Sequence, residues 1–238
     1  YASNAFLATK ISFINEVADL CERVGADVEV VAHGMGLDKR VGPKFLHPGP
    51  GFGGSCFPKD SRAIVQIAND HDMSFQIMEA VLRVNEATKS RMVDKIDAAF
   101  ADGVAGKTVA VLGLSFKPET DDMRESPALT IVDGLLDRGA TVRAFDPAAM
   151  DECRERWTDV TFCEDAYDTA RDADGLVIAT EWNEFRALEL ERLSSLLKTP
   201  LIVDLRNIYE PARVAAAGFN YVSLGRKPTG PGERSEQA

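Results

Sequence analysis

The sequence predicts an α/β chain in two parts, an all-helical first part followed by a doubly wound parallel sheet. Three observations carry this. Apolar residues recur at helical spacing from Asn4 to about residue 101; from Gly103 short apolar β runs alternate with helical segments; and one stretch dense in glycine and proline, residues 42–54, interrupts the helical part. The chain has 238 residues, 45% of them hydrophobic, enough for two modest cores.

Over residues 4–24 one apolar line runs through Leu7, Ile11, Ile14, Ala18 and Cys21, and a second through Phe6, Phe13, Val17, Leu20 and Val24. Two such lines predict a helix buried on two sides. A short helix is expected over 28–35, closed by Gly36, and Pro58 opens another that runs to about Asp70. A long helix over 74–101 carries the expected core stripe Ile77, Val81, Val84, Met92, Ile96 and Phe100. Residues 1–102 therefore read as one helical domain. Its first and longest helices offer more apolar surface than a small domain buries alone, which predicts a homodimer through these helices.

Beyond Gly103, strands are predicted at 108–112, 141–145, 160–163, 176–179, 201–203 and 221–222, with helices at 127–138, 148–156, 166–172 and 188–197. Alternation at this spacing means βαβ units, and so a Rossmann-like domain over 103–227. The polar, Pro- and Gly-rich segment 228–238 is expected to be a disordered tail.

Charge excludes several function classes. With 27 Lys and Arg against 38 Asp and Glu the net charge is −11, and the cations are scattered, so no basic face is available for nucleic acid or an anionic membrane. No apolar run approaches the roughly 20 residues that span a bilayer, and the start at Tyr1 has no leader pattern. A cytoplasmic protein is expected. Cys21, Cys56, Cys153 and Cys163 form no CxxC pair and only three histidines accompany them, so neither a metal site nor a disulfide framework is indicated. The missing Met and a helix already running by Asn4 lead us to expect a chain truncated upstream.

The segment Pro48-Gly-Pro-Gly-Phe-Gly-Gly-Ser-Cys-Phe-Pro-Lys-Asp60 carries the chemistry. Its glycines free the backbone and allow a ligand to approach the main chain. Cys56 falls just before a helix, where the helix dipole and Lys59 both favour thiolate, which makes it a candidate nucleophile. Asp60 is near enough in sequence to act as a base or to order a water on the same ligand. The competing reading is a small buried cysteine in a glycine turn.

The stretch Gly53-Gly-Ser-Cys-Phe-Pro-Lys-Asp60, preceded by Asn4-Ala-Phe-Leu-Ala-Thr-Lys-Ile-Ser-Phe-Ile-Asn-Glu16, resembles the UDP-glucose 6-dehydrogenase family. So do Gly113-Leu-Ser-Phe-Lys-Pro-Glu-Thr-Asp-Asp-Met-Arg-Glu-Ser-Pro127, Asp204-Leu-Arg-Asn207 and Tyr221-Val-Ser-Leu-Gly-Arg226. The resemblance implies oxidation of a sugar C6 alcohol to a carboxylate by two hydride transfers to NAD, through a cysteine-bound thiohemiacetal and thioester that water opens. It assigns Cys56 as the nucleophile, Asn4 as a donor to the oxyanion and Asp60 as the acid that orients the water. It places Phe45, Gly51, Phe52, Gly53, Lys117 and Arg206 around UDP-glucose, Arg40 in the neighbouring subunit's substrate site, and Arg124 and Lys59 toward NAD. Asn4 would serve equally as a helix N-cap, and each charge equally as a solvated surface group.

The match also has gaps. The family's catalytic lysine would fall one residue before Tyr1, and its amino-terminal NAD-binding domain is missing from this chain. The sheet at 107–225 is not that domain, since the turn after its first strand reads Gly113-Leu-Ser-Phe-Lys-Pro and lacks GxGxxG. Asp146 resembles a ribose-binding acid but reads better as a turn residue before Pro147, and the sheet is expected to grip the UDP half of the substrate. The rival readings are a GDP-mannose 6-dehydrogenase, a dehydrogenase of N-acetylated UDP sugars, which tends to carry His where Ser55 stands, and a non-catalytic nucleotide-sugar-binding and dimerisation module.

Overall fold

The computed structural model describes residues 1–232. Helices α1 (Ala2–Val24), α2 (Val28–Gly36), α3 (Phe57–Asn69) and α4 (Gln76–Ala99) come first. Six strands follow, β1 (Thr108–Leu112), β2 (Thr141–Phe145), β3 (Val160–Phe162), β4 (Gly175–Ile178), β5 (Leu201–Asp204) and β6 (Asn220–Ser223). They are connected by α5 (Pro127–Asp137), α6 (Met150–Arg156), α7 (Ala166–Ala170), α8 (Asn183–Arg186), α9 (Leu190–Leu196) and α10 (Pro211–Ala216).

All six strands are parallel, in the order β3-β2-β1-β4-β5-β6, the doubly wound arrangement that the alternation predicts. Because side chains alternate along a strand, Val109 and Val111 of β1 face one core, with Ile131 and Val177, while Ala110 and Leu112 face the other, with Ile178 and Phe185. The order reverses between β1 and β4. At that switch point the carboxyl ends of the strands leave a crevice, and the functional loops gather there.

Several expectations are corrected. The helix predicted over 188–197 is α9, while α8 and α10 fall where no helix was expected. On α1 the first apolar line is largely buried, but Phe6 (66%), Phe13 (51%), Leu20 (58%) and Val24 (67%) of the second are exposed, so in this chain the helix is covered on one side only. On α4, Met78 is buried in place of Ile77, which faces outward. The carboxyl half of α4 also leaves the helical part: Met92, Ile96 and Phe100 pack into the same core as Val111 and Ile131, so this helix belongs to both regions. The start of the tail is pinned rather than disordered, since Thr229 and Tyr221 exchange backbone hydrogen bonds. Residues 233–238 of that tail lie outside the described residues.

Candidate active site

The loop between α2 and α3 is buried from Pro48 to Gly54 and surfaces at Cys56, which is exposed. A buried loop must pair its backbone groups, and two asparagines from the flanking helices do so. Asn15 of α1 accepts from the Gly49 N–H at 2.9 Å. Asn85 of α4 accepts from the Phe52 N–H at 2.8 Å and donates to the Phe52 carbonyl at 3.1 Å. Lys10 adds its ammonium to the carbonyls of Val41 and Lys44. The Gly54 N–H crosses to the sheet region and reaches the Arg124 carbonyl at 2.7 Å.

The glycines serve this packing. A Cβ on Gly53 would lie 2.3 Å from the Glu125 carbonyl oxygen, and one on Gly54 (φ +80°) 2.7 Å from the Phe116 ring. The freedom expected to admit a ligand is therefore spent, at these two positions, on close approach to the turn after β1.

Cys56 is the N-cap of α3, with the Ser55 hydroxyl 3.6 Å from its sulfur. Asp60 lies one turn along, its N–H donating to the Cys56 carbonyl, so both side chains share a helix face. Asn4 is not an N-cap: α1 begins after Tyr1, and the Asn4 amide donates to Asp60 Oδ2 at 2.6 Å. The Lys59 ammonium is 3.4 Å from the other carboxylate oxygen. The Asn4 hydrogen bond, then Lys59, hold the Asp60 carboxyl below its ordinary 3.8. An anion so stabilised is a weak base, better suited to orienting a water than to taking its proton outright. The other cysteines are buried, and burial raises all three thiols, Cys153 up to about 12.

Beside this group lies a cleft of about 390 Å³ at the switch point of the sheet. The helical region contributes Phe45, Gly51, Phe52 and Gly53 to its wall, and the sheet region Lys117 and Arg206. Phe57 stands edge-on to Phe45 and to Phe52, each at 6.1 Å between ring centres, and Lys117 lies over the Phe116 ring at 5.4 Å. Arg206 is held by the Ala179 carbonyl at 2.9 Å and the Glu181 carboxylate at 3.0 Å. Aromatic faces beside fixed cations suit a heterocyclic base linked to phosphates.

Arg124 projects on the cysteine side, tied to Asp122 at 2.8 Å; that hydrogen bond chiefly raises its guanidinium above the ordinary value, with Cys56 among the smaller contributors. Arg40 joins no part of this cleft and sits on the surface in an ion pair with Asp38 at 2.6 Å. Asp146 is fully buried: its carboxylate accepts from the backbone of Leu114, Ser115, Ala148 and Ala149, the Ser115 hydroxyl and the Trp182 indole. It pins the turn after β1 and has no lone pair left for a ribose.

Sequence reasoning missed Asn15, Asn85, Lys44, His47, Phe116 and Glu181. The asparagines left a signal: Asn85 sits four residues after Val81 on the buried stripe of α4, and a polar residue in a core position needs a partner. The others are loop residues brought together only by the fold.

Models of the two domains of one family match the chain: the UDP-glucose/GDP-mannose dehydrogenase family, central domain, over residues 1–87, and its UDP binding domain over residues 110–211. The chain belongs to the UDP-glucose/GDP-mannose dehydrogenase family. A UDP-glucose 6-dehydrogenase of Rhizobium meliloti is 55% identical over 95% of this chain and 52% of its own length. Another, from Rickettsia bellii, is 47% identical over 95% of the chain and 53% of its length. Among solved structures, a UDP-glucose dehydrogenase from Pyrobaculum islandicum superposes with a TM-score of 0.79 at 41% identity, covering 87% of this chain and 46% of that one. The chain spans about half the length of the curated relatives it matches. In this family member the glycine loop falls within the central-domain match, and Lys117, Arg124 and Arg206 within the UDP-binding match.

Proposed function

We propose that this chain forms the cysteine-bearing and UDP-sugar-binding part of a UDP-glucose 6-dehydrogenase that oxidises the sugar C6 alcohol to a carboxylate. The observation that carries the reading is the exposed Cys56 at the start of α3, one turn from the Asn4–Asp60 pair and beside the cleft walled by Phe45, Phe52, Lys117 and Arg206. The names of the relatives support the substrate.

In this reading the uracil and ribose lie against the phenylalanines and the diphosphate meets Lys117 and Arg206, which carries C6 toward Cys56. The thiolate adds to the C6 aldehyde and forms the C–S bond of a thiohemiacetal, whose oxyanion takes the second N–H of the Asn4 amide. After the second oxidation a water held by Asp60 adds to the thioester carbonyl, the C–S bond breaks, and the thiolate leaves.

Two NAD, bound in turn, would supply the hydride acceptors for the two oxidations. The sheet itself does not fit a dinucleotide: it lacks the glycine fingerprint, Asp146 is saturated, and a Cβ on Gly113 would lie 2.4 Å from Thr180. This chain's contribution is the exposed cations Arg124 and Lys59 flanking Cys56, which suit the pyrophosphate of a cofactor bound elsewhere in a longer protein. The exposed line Phe6, Phe13, Leu20 and Val24 on α1 supports a homodimer, and in it Arg40 would serve the partner's site. No described helix is long and apolar enough to cross a membrane, and work by a free thiol suits the reducing cytoplasm.

The test is NADH absorbance with the protein extended to the length of its relatives. Two NADH per UDP-glucose and none with GDP-mannose is the expected result. Turnover of GDP-mannose alone would transfer the assignment to that substrate, and no NADH from either would leave a nucleotide-sugar-binding module.

A further inference from the structure

Helix α3 carries, six residues beyond Cys56, an arginine whose two terminal nitrogens each donate to one oxygen of Glu125 at 2.6 Å. Glu125 belongs to the turn after β1, 63 residues away in sequence, and adopts a left-handed conformation (φ 53°). The same turn meets the cysteine loop twice more, through the Gly54 N–H on the Arg124 carbonyl and through Gly53 against the Glu125 carbonyl. Arg124 lies between these contacts, its carbonyl bound by the N–H of Gly54, two residues before Cys56.

As a contribution to stability the pair has little to offer, because Arg62 and Glu125 are about half and one-third exposed. Its geometry is another matter. A two-point Arg–carboxylate contact fixes orientation as well as distance. The near end of the turn is anchored separately, since Asp146 accepts from the Leu114 and Ser115 N–H groups just before the cleft residues Phe116 and Lys117. The far end, with Arg124, lies between Met123, buried in the core, and the Ser126 cap of α5, and is held to the cysteine loop by the Gly54 hydrogen bond and the Arg62–Glu125 pair.

We propose that the bidentate Arg62–Glu125 pair is a positioning latch that holds the Arg124 turn against the amino end of the Cys56 helix, so that it sets the reactivity of the thiol and leaves nucleotide-sugar binding nearly untouched. The proposal rests on Cys56 being the reactive group. It makes Arg62 and Glu125 positioning residues, acting through Arg124 and Cys56.

Two readouts separate this role from a structural one. The first is the rate of Cys56 alkylation by iodoacetamide across pH in this chain, where the three other cysteines are buried. The charged neighbours of the thiol, Arg124, Lys59 and Asp60, stay unchanged. Glu125→Gln and Arg62→Leu are expected to slow Cys56 alkylation several-fold, because the Arg124 turn is no longer held against the start of α3, and the doubly reversed Arg62→Glu/Glu125→Arg chain to recover part of the rate. The second is steady-state kinetics in the extended protein, where each single change should lower kcat on the order of tenfold with KM for UDP-glucose within about twofold. Wild-type alkylation profiles in both single variants would overturn the latch. So would a parallel loss of KM, kcat and melting temperature that the reversed pair fails to rescue. If the extended protein shows no turnover at all, the dehydrogenase reading has failed, while the alkylation profiles still decide the latch.

Discussion

The sheet region and the helical region solve the burial problem differently. The sheet buries a core on each face: β4 and β5 are buried throughout and β1 from Val109 on, and the end of α4 completes one of the two cores. The helical region divides its apolar surface four ways, between a small core under α1 and α2, a second under the glycine loop, the end of α4 packed into the sheet's core, and a stripe on α1 left to solvent. The sheet half carries Arg206, held by the Ala179 carbonyl and the Glu181 carboxylate, and Lys117 over the Phe116 ring. The helical half, incomplete along its uncovered stripe, carries Cys56, the proposed nucleophile, after a loop held by side-chain amides rather than by a ladder. In the proposed reading the reactive group and the cations that meet the diphosphate thus sit in different halves.

The sharpest way to break this comparison is to remove the nucleophile. Cys56→Ser in the extended protein is expected to cut NADH formation on the order of a thousandfold or more, with UDP-glucose still binding by calorimetry because the sheet's cations are intact. Comparable loss of binding would mean that the two halves do not divide the work.

The incomplete half can be tested on its exposed stripe. Phe13→Glu or Leu20→Glu should convert a dimer into a monomer by light scattering, each losing the burial of one large side chain, worth about 1.5–3 kcal/mol, while circular dichroism of the chain stays the same. A monomeric parent chain would defeat the dimer outright.

Within the monomer, Asn85→Ala strips both partners from the buried Phe52 backbone. Leaving such groups unpaired costs about 1–3 kcal/mol, and the urea midpoint should fall at constant slope. An unshifted midpoint would show that the loop does not depend on that amide.

Besides the lower kcat that loss of the proposed oxyanion donor brings, a pH effect is expected from Asn4→Ala. The amide stabilises the charged form of Asp60, so removing it lets the carboxyl rise toward its ordinary 3.8. If anionic Asp60 orients the water, the acidic limb of the kcat profile moves to higher pH; an unmoved limb would take Asp60 out of that step. Smallest is Arg40→Ala, since Arg40 is exposed and ion-paired with Asp38 on the surface. The melting temperature should not move, and turnover should fall only in the dimer.

Much of this was legible in one dimension. Every strand falls within a residue or two of its predicted place, since apolar β runs punctuated by glycine are a local signal, and α1 to α4 follow from helical spacing. α8 and α10 were not, because helices of one or two turns carry too little periodicity to read. Cys56 was legible from its place before Pro58, and so was its neighbourhood with Asp60, one helical turn being enough to set it.

What the chain of residues settled alone is therefore what short-range physics controls: the parallel α/β class, the helix that starts at Cys56, and the want of a glycine cradle after β1. The folded structure decided the rest. Only folding brings Asn4 onto Asp60 across 56 residues, sets Arg206 and Lys117 in one cleft with Phe45 and Phe52, and shows that Gly53 is small to admit Glu125 and Ser126, and Gly54 to admit the Phe116 ring. Contacts between segments far apart in sequence depend on how the cores pack, and no local pattern encodes them.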